Sequence, residues 1–233
     1  MIIRAVKRIY FVTLPKLFFM RKEERFRLIL DYFQQHRPEA STELVYTDPY
    51  ELAVATILSA QCTDKRVNMI TPPFFLVFPD ASSLAAADPT VVFQLIRTCS
   101  YPNNKTKNLI GMAKSLVEKY KGILPSDVDE LQTIPGIGRK TANVLASVIY
   151  NKPALAVDTH VFRVSARLGL TANARTPLQT EQQLIKHIPE NLCAIAHHWL
   201  ILHGRYVCIA RKPKCAECGL TAFCKYYAAN QKP

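Results

Sequence analysis

Apolar side chains recur at Phe26, Ile29, Leu30 and Phe33, the i, i+3, i+4, i+7 spacing that lines one buried face of an α-helix. Runs of the same period occupy 50–60, 106–119, 141–150, 159–168 and 179–187, and no segment shows the period-two alternation of a half-buried strand. Turn-forming clusters separate these runs: Asp48-Pro49, Pro72-Pro73, Asp88-Pro89, Tyr101-Pro102-Asn103-Asn104, Leu124-Pro125-Ser126-Asp127 and Asn151-Lys152-Pro153. The pattern predicts an all-α fold of ordinary-length helices with short connections. Without an internal repeat or a heptad seam, neither a solenoid nor a coiled coil is expected.

Composition narrows the class. At 233 residues and 49% hydrophobic, the chain can bury a substantial core, as one large domain or as two small ones sharing a cleft. Lys and Arg number 30 against 18 Asp and Glu, an excess that points to a polyanionic partner such as nucleic acid without choosing one. Of the seven cysteines, Cys62, Cys99 and Cys193 stand apart and four crowd between 208 and 224, which favours metal ligation in a reducing compartment over disulfides. A cytoplasmic protein is expected, nucleoid-associated if bacterial, with no membrane partner. Residues 1–19 carry four basic side chains and no acid. Lys7, Arg8 and Lys16 break this segment too often for it to span a bilayer, and no small-residue cleavage site follows it. Met20 begins a cleaner globular pattern, so the segment reads either as an upstream start or as a basic arm that touches DNA.

The stretch from Asp127 to Leu145 reads as helix, tight hairpin, helix, with Pro135, Gly136, Ile137 and Gly138 forming the turn. Its two glycines allow a sharp reversal and remove side chains, so that backbone N–H groups and the next helix N-terminus can approach a phosphate. An ordinary αα-hairpin has the same pattern, so the motif alone leaves both meanings open. Lys140 falls in the first turn of the second helix beside Arg139, where the helix dipole disfavours a cation and favours the free amine that carbonyl chemistry needs. A solvated surface lysine remains the alternative. Downstream, Asp158 or Thr159 suits the N-cap of the helix that follows. A carboxylate there could also stabilise positive charge growing on a sugar ring or assist proton transfer.

Cys208, Cys215, Cys218 and Cys224 form C-x6-C-x2-C-x5-C, four soft ligands on a short segment. Four thiolates suit either zinc or a cubane iron–sulfur cluster, and the spacing does not choose between them. The loop after Cys208 carries Arg211, Lys212 and Lys214, cations well placed for phosphates if they are more than a solvated surface.

Together these segments resemble the endonuclease III family of helix-hairpin-helix DNA glycosylases over most of the chain, from about Met20 to Ala229. Ile134-Pro-Gly-Ile-Gly-Arg-Lys-Thr-Ala-Asn-Val144 is similar to the family's hairpin with its catalytic lysine, here Lys140. Val157-Asp-Thr-His-Val-Phe-Arg-Val164 is similar to the segment with its catalytic aspartate, here Asp158, and the cysteine pattern to its [4Fe-4S] site. The resemblance implies a six-helix barrel over 42–152, with the hairpin at 127–148, and an iron–sulfur domain built from 20–41 and 153–233. Double-stranded DNA with oxidised pyrimidines or abasic sites would lie in the groove between them. It further implies a monomeric bifunctional glycosylase and abasic-site lyase that works through a lysine Schiff base, a redox-neutral sequence in which the cluster acts as staple and DNA platform.

Leu58-Ser59-Ala60-Gln61-Cys62-Thr63-Asp64 resembles the family segment whose glutamine fills the gap left by a flipped nucleotide, which assigns that part to Gln61. Tyr101 stands where many relatives present an apolar wedge before Asn-x-Lys; here Pro102 departs from their pattern, which puts opposite-strand preference in doubt more than the reaction. Two other functions remain in view. Mispaired-adenine glycosylases share hairpin and cluster but usually lack a lysine at position 140, and a non-catalytic DNA-binding module would carry zinc in its tail.

Overall fold

The computed structural model describes residues 20–230, and the two expectations for residues 1–19 lie outside them. Twelve α-helices are formed among the described residues, and no strand. The first eight are α1 (Lys22–His36), α2 (Pro49–Ser59), α3 (Asp64–Val77), α4 (Ala81–Ala85), α5 (Pro89–Ile96), α6 (Pro102–Tyr120), α7 (Val128–Gln132) and α8 (Arg139–Tyr150). The rest are α9 (Thr159–Leu168), α10 (Pro177–Ile185), α11 (Cys193–Tyr206) and α12 (Lys225–Asn230). The all-α expectation holds. No helix among the described residues is long and apolar enough to cross a membrane.

Two hydrophobic cores organise these helices. One is built from α2 to α8 around α2, whose residues 52–58 are all buried, and it includes Phe74, Leu84, Leu109, Leu116, Leu131 and Leu145. The other joins α1 to the second half of the chain through Phe26, Phe33, Val161, Leu168, Leu184, Trp199 and Leu220. Because α1 packs with the C-terminal half, the chain leaves one core, builds the other, and returns. Trp199 secures that return by stacking on Phe33 and donating its indole N–H to the Arg37 carbonyl at 2.7 Å. Arg205 and the Arg139–Glu181 pair cross between the cores as ion pairs.

Two departures from the sequence pattern have clear causes. Pro72 and Pro73 do not end a helix but lie inside α3. Val67, Ile70, Thr71 and Phe74 anchor that helix by one buried face, while both prolines are exposed, so the carbonyls they leave unpaired can be met by water. Helix α11 has no clear amphipathic period because it is buried on most of its circumference, from Cys193 to Gly204.

The hairpin between α7 and α8 assigns separate duties to its glycines. Gly136 has φ +82°, and a Cβ there would meet the Asn108 Cβ at 2.8 Å and Ile57 Cδ1 at 3.2 Å. Gly138 has ordinary backbone angles and faces open space. Gly136→Ala is therefore expected to lower unfolding free energy by about 1–3 kcal/mol, from the positive φ and the close approach. Gly138→Ala should leave stability within about 0.5 kcal/mol of the parent. Urea titrations followed by helical circular dichroism measure both.

Candidate active site and iron–sulfur centre

Helix α8 begins at Arg139 with Gly138 as an N-cap that has no side chain to offer, so its first N–H groups receive no side-chain cap. Those donors and the positive end of the helix dipole face outward next to Gly138, an arrangement suited to a phosphate oxygen. Pro135 is exposed and packs beside Gly111 of α6. Ile137 departs from the expected DNA contact: its side chain is 3% exposed in the first core, and its N–H donates to the Ile134 carbonyl at 3.0 Å. It braces the turn. Arg139 is also committed, with Nε and Nη2 donating to both oxygens of Glu181 at 3.0 and 2.7 Å, which ties the hairpin to α10.

Lys140 is exposed and lines a pocket between the two cores with Thr56, Ser59, Asp64, His197, His198 and Arg205. Arg205 Nη1 donates to Asp64 Oδ2 at 2.6 Å and also pairs with Glu43, so one wall of the pocket carries a cation held between two carboxylates. Behind His197, the segment before α9 is clamped from two sides. Asn143 of α8 donates to the Leu155 carbonyl at 3.2 Å, and His197 Nδ1 lies 2.7 Å from the Ala156 carbonyl. A carbonyl only accepts, so Nδ1 carries the proton.

That clamp ends at Asp158. Its Oδ1 accepts from the N–H groups of His160 and Val161, each at 2.8 Å, making it rather than Thr159 the N-cap of α9. Lys140 and Asp158 both lie near enough to His197 to act on its charge. Burial, assisted by His198 and then Lys140, pushes the His197 imidazole down to about 3; burial and Arg205 push His198 down to about 4. Both rings are neutral at physiological pH. The consecutive histidines within an apolar run were the available sequence signal for this support, although helical periodicity does not expose it.

The four clustered cysteines share one pocket with Leu168, His203, Val207, Pro213, Tyr226 and Tyr227. Among the described residues no three His, Cys, Asp or Glu side chains converge on a single-ion site. A tetrahedral zinc would draw its sulfurs to about 2.3 Å from one point. A wider cavity with sulfurs around its rim suits a cubane, whose iron atoms each take one thiolate. Arg167 donates to the carbonyls of Ile209 at 2.8 Å and Ala210 at 2.7 Å, and Arg163 Nη2 to that of Cys208 at 3.3 Å. These bonds pin the base of the loop while Arg211, Lys212 and Lys214 remain exposed.

Gln61 and Tyr101 sit close together on loops beside the first core, linked through Ser100, whose Oγ donates to the Gln61 carbonyl at 2.7 Å. Both adopt left-handed backbone conformations, φ 55° and φ 53°, and both are exposed.

Helical cores flanking a cleft, a glycine hairpin at its edge and a cysteine-lined pocket define a class, and comparison with known proteins names it. The model of the HhH-GPD superfamily base excision DNA repair proteins matches residues 54–190, and that of the iron–sulfur binding domain of endonuclease III matches 208–224. The chain is 43% identical to the endonuclease III of Bacillus subtilis over 196 residues, 84% of this chain and 90% of that one. It is 39% identical to that of Escherichia coli K12 over 207 residues, 89% of this chain and 97% of the relative. A solved endonuclease III trapped as a covalent intermediate with DNA superposes with TM-score 0.85 at 40% identity, covering 91% of this chain and all of that one. A thermostable thymine-DNA glycosylase shares the fold at TM-score 0.81 and 20% identity. The chain belongs to the endonuclease III family. It is a base excision repair enzyme, a DNA glycosylase and abasic-site lyase with a [4Fe-4S] cluster, which sets aside the zinc-stapled passive binder.

The depressed histidines give a signed expectation. In the unfolded chain each titrates near 6.5, so between that pH and the folded values the unfolded state binds the extra proton. Their contribution is fully present above pH 6.5 and is lost on acidification, at up to about 1.4 kcal/mol per pH unit for each ring. Unfolding free energies at pH 7 and pH 5 should show this loss, and His198→Gln should reduce the slope.

Proposed function

We propose that this enzyme removes oxidised pyrimidines from double-stranded DNA and cuts the backbone 3′ to the abasic site, with Lys140 as nucleophile and Asp158 as its partner. The observation that carries the proposal is the position of Lys140, on an uncapped helix N-terminus and at the edge of the pocket between the cores. The covalent DNA intermediate named for the solved relative supports the same chemistry. The two cores are proposed to be the two domains, with DNA across the groove between them and a monomer acting on nucleoid DNA in the cytoplasm.

A base inside the stack is out of reach, so the damaged nucleotide is first flipped out. The Lys140 amine then bonds to C1′ as the bond from C1′ to the base breaks, and the base leaves with a proton. The sugar ring opens to an imine, which acidifies the C2′ proton. Loss of that proton expels the 3′ phosphate, and water hydrolyses the imine to restore the lysine. The neutral state of His197 leaves the amine without a second cation beneath it. Asp158 caps α9 through Oδ1, so Oδ2 is assigned to stabilising the positive sugar and to moving protons.

DNA is gripped by the hairpin N–H groups of Gly136 and Gly138, with Pro135 shaping the turn, by the start of α8, and by Arg211, Lys212 and Lys214. Gln61 and Tyr101 fill the gap in the duplex, the aromatic ring stacking between bases. Cys208, Cys215, Cys218 and Cys224 are the proposed cluster ligands; the bound group would fix the 208–224 loop and with it those three cations.

Borohydride reduction with an abasic-site duplex should trap the wild-type protein covalently, and Lys140→Gln should give no adduct. Trapping of that variant at the wild-type rate would exclude Lys140 as nucleophile. Replacing Arg211, Lys212 and Lys214 together by Ala should weaken duplex binding and reduce the slope of log affinity against log salt by about 2 to 3. An unchanged slope would remove the loop from the phosphate-binding surface.

A further inference from the structure

Lys105, near the start of α6, is 5% exposed, yet none of the four ion pairs among the described residues includes it. Its Nζ lies 2.7 Å from the Leu58 carbonyl, 2.7 Å from the Ala60 carbonyl, 3.1 Å from Cys99 Sγ and 3.3 Å from Ser100 Oγ. A lysine amino group has three protons to donate, and here every acceptor is neutral. Burial pushes the Cys99 thiol up, so the sulfur supplies no anion. Removing a lysine from water without a carboxylate partner is costly, and a core position could be filled by an apolar side chain at no such cost.

The acceptors explain its placement. Leu58 and Ala60 lie at the C-terminal end of α2, where unpaired carbonyls and the negative end of the helix dipole favour a cation. The next residue is Gln61. Cys99 and Ser100 precede Tyr101, and Ser100 Oγ also donates to the Gln61 carbonyl. One amino group therefore joins the loop that presents Gln61 to the loop that presents Tyr101. Both residues are held in the left-handed region, which costs a residue other than glycine about 1 kcal/mol or more and persists only where surrounding bonds require it.

We propose that Lys105 is a positioning residue that sets Gln61 and Tyr101, before DNA arrives, in the paired geometry that enters the gap behind a flipped nucleotide. The inference rests on the gap-filling parts given above to those two residues. Lys105 touches no DNA itself; it removes the ordering that two separate loops would otherwise undergo on binding.

Lys105→Met tests this, with helical circular dichroism and the visible absorbance of the cluster confirming the fold. Single-turnover release of thymine glycol from a duplex should fall about tenfold, as expected for losing one buried hydrogen-bonding hub. Cleavage of single-stranded abasic DNA, which has no gap to fill, should stay within about twofold. In a Gln61→Ala, Tyr101→Ala background, Lys105→Met should cause no further loss on the duplex, because the side chains it acts through are gone. Equal losses on both substrates, additive losses in that background, or no loss at all would each overturn the proposal. If Lys105→Met does not fold, Ser100→Ala, which removes the Oγ that Lys105 donates to and that ties the Tyr101 loop to the Ala60 and Gln61 carbonyls, is held to the same three readouts. If the Gln61→Ala, Tyr101→Ala enzyme itself releases base from duplex at the wild-type rate, the gap-filling assignment fails, independently of any effect at Lys105.

Discussion

The cleft depends on the packing of α8 and α11 around the segment between Ala154 and Asp158. Helix α8 contributes Asn143 to one carbonyl of that segment, and α11 contributes His197 to the next. Each bond satisfies a backbone group that would otherwise be buried without a partner, so the segment cannot slide without stranding a polar atom. Asp158, at the end of that segment, is held near enough to His197 to act on its charge, as Lys140 is. The lysine needs little support of its own, because the hairpin determines where α8 begins and the cores determine where it points.

Charge is divided sharply between internal and external duty. The excess of Lys and Arg suggests a broadly cationic surface, yet several of the most conspicuous cations are spent inside the molecule. Arg139 is paired with Glu181, Arg205 with Glu43 and Asp64, and Arg163 and Arg167 hold the carbonyls of the cysteine loop. These bonds stiffen the scaffold on either side of the cleft. Arg211, Lys212 and Lys214 stay exposed on a loop fixed at its base, which makes them the cations best suited to a polyanion.

Positive φ also occurs at the hairpin and at the two loops that present Gln61 and Tyr101. Gly136 takes up a positive φ where a side chain would also collide with Asn108, while Gln61 and Tyr101 hold positive φ without being glycine. At Gly136 the cost is avoided by residue choice. At Gln61 and Tyr101 the side chains are retained and the backbone is held by Lys105 and Ser100. Retaining exposed side chains on strained backbone suits positions where the side chain is the working part.

Much of this protein was legible in the sequence because the signals were local. Helices with one buried face announce themselves by period, which is why α1, α2, α6, α8, α9 and α10 could be placed; the glycine hairpin, the four cysteines, Lys140 and Asp158 were visible as short motifs. Tertiary structure decided the rest. Only the surrounding core shows that α11 is buried on most sides, that Pro72 and Pro73 lie on a solvent face, and that the Ile137 side chain points inward. The partners of Arg139, His197 and Lys105 are brought to them by the fold across long stretches of chain. Periodicity reports which side of an element is buried, whereas the partner of a buried polar group is chosen by whichever distant backbone the fold brings within hydrogen-bonding reach.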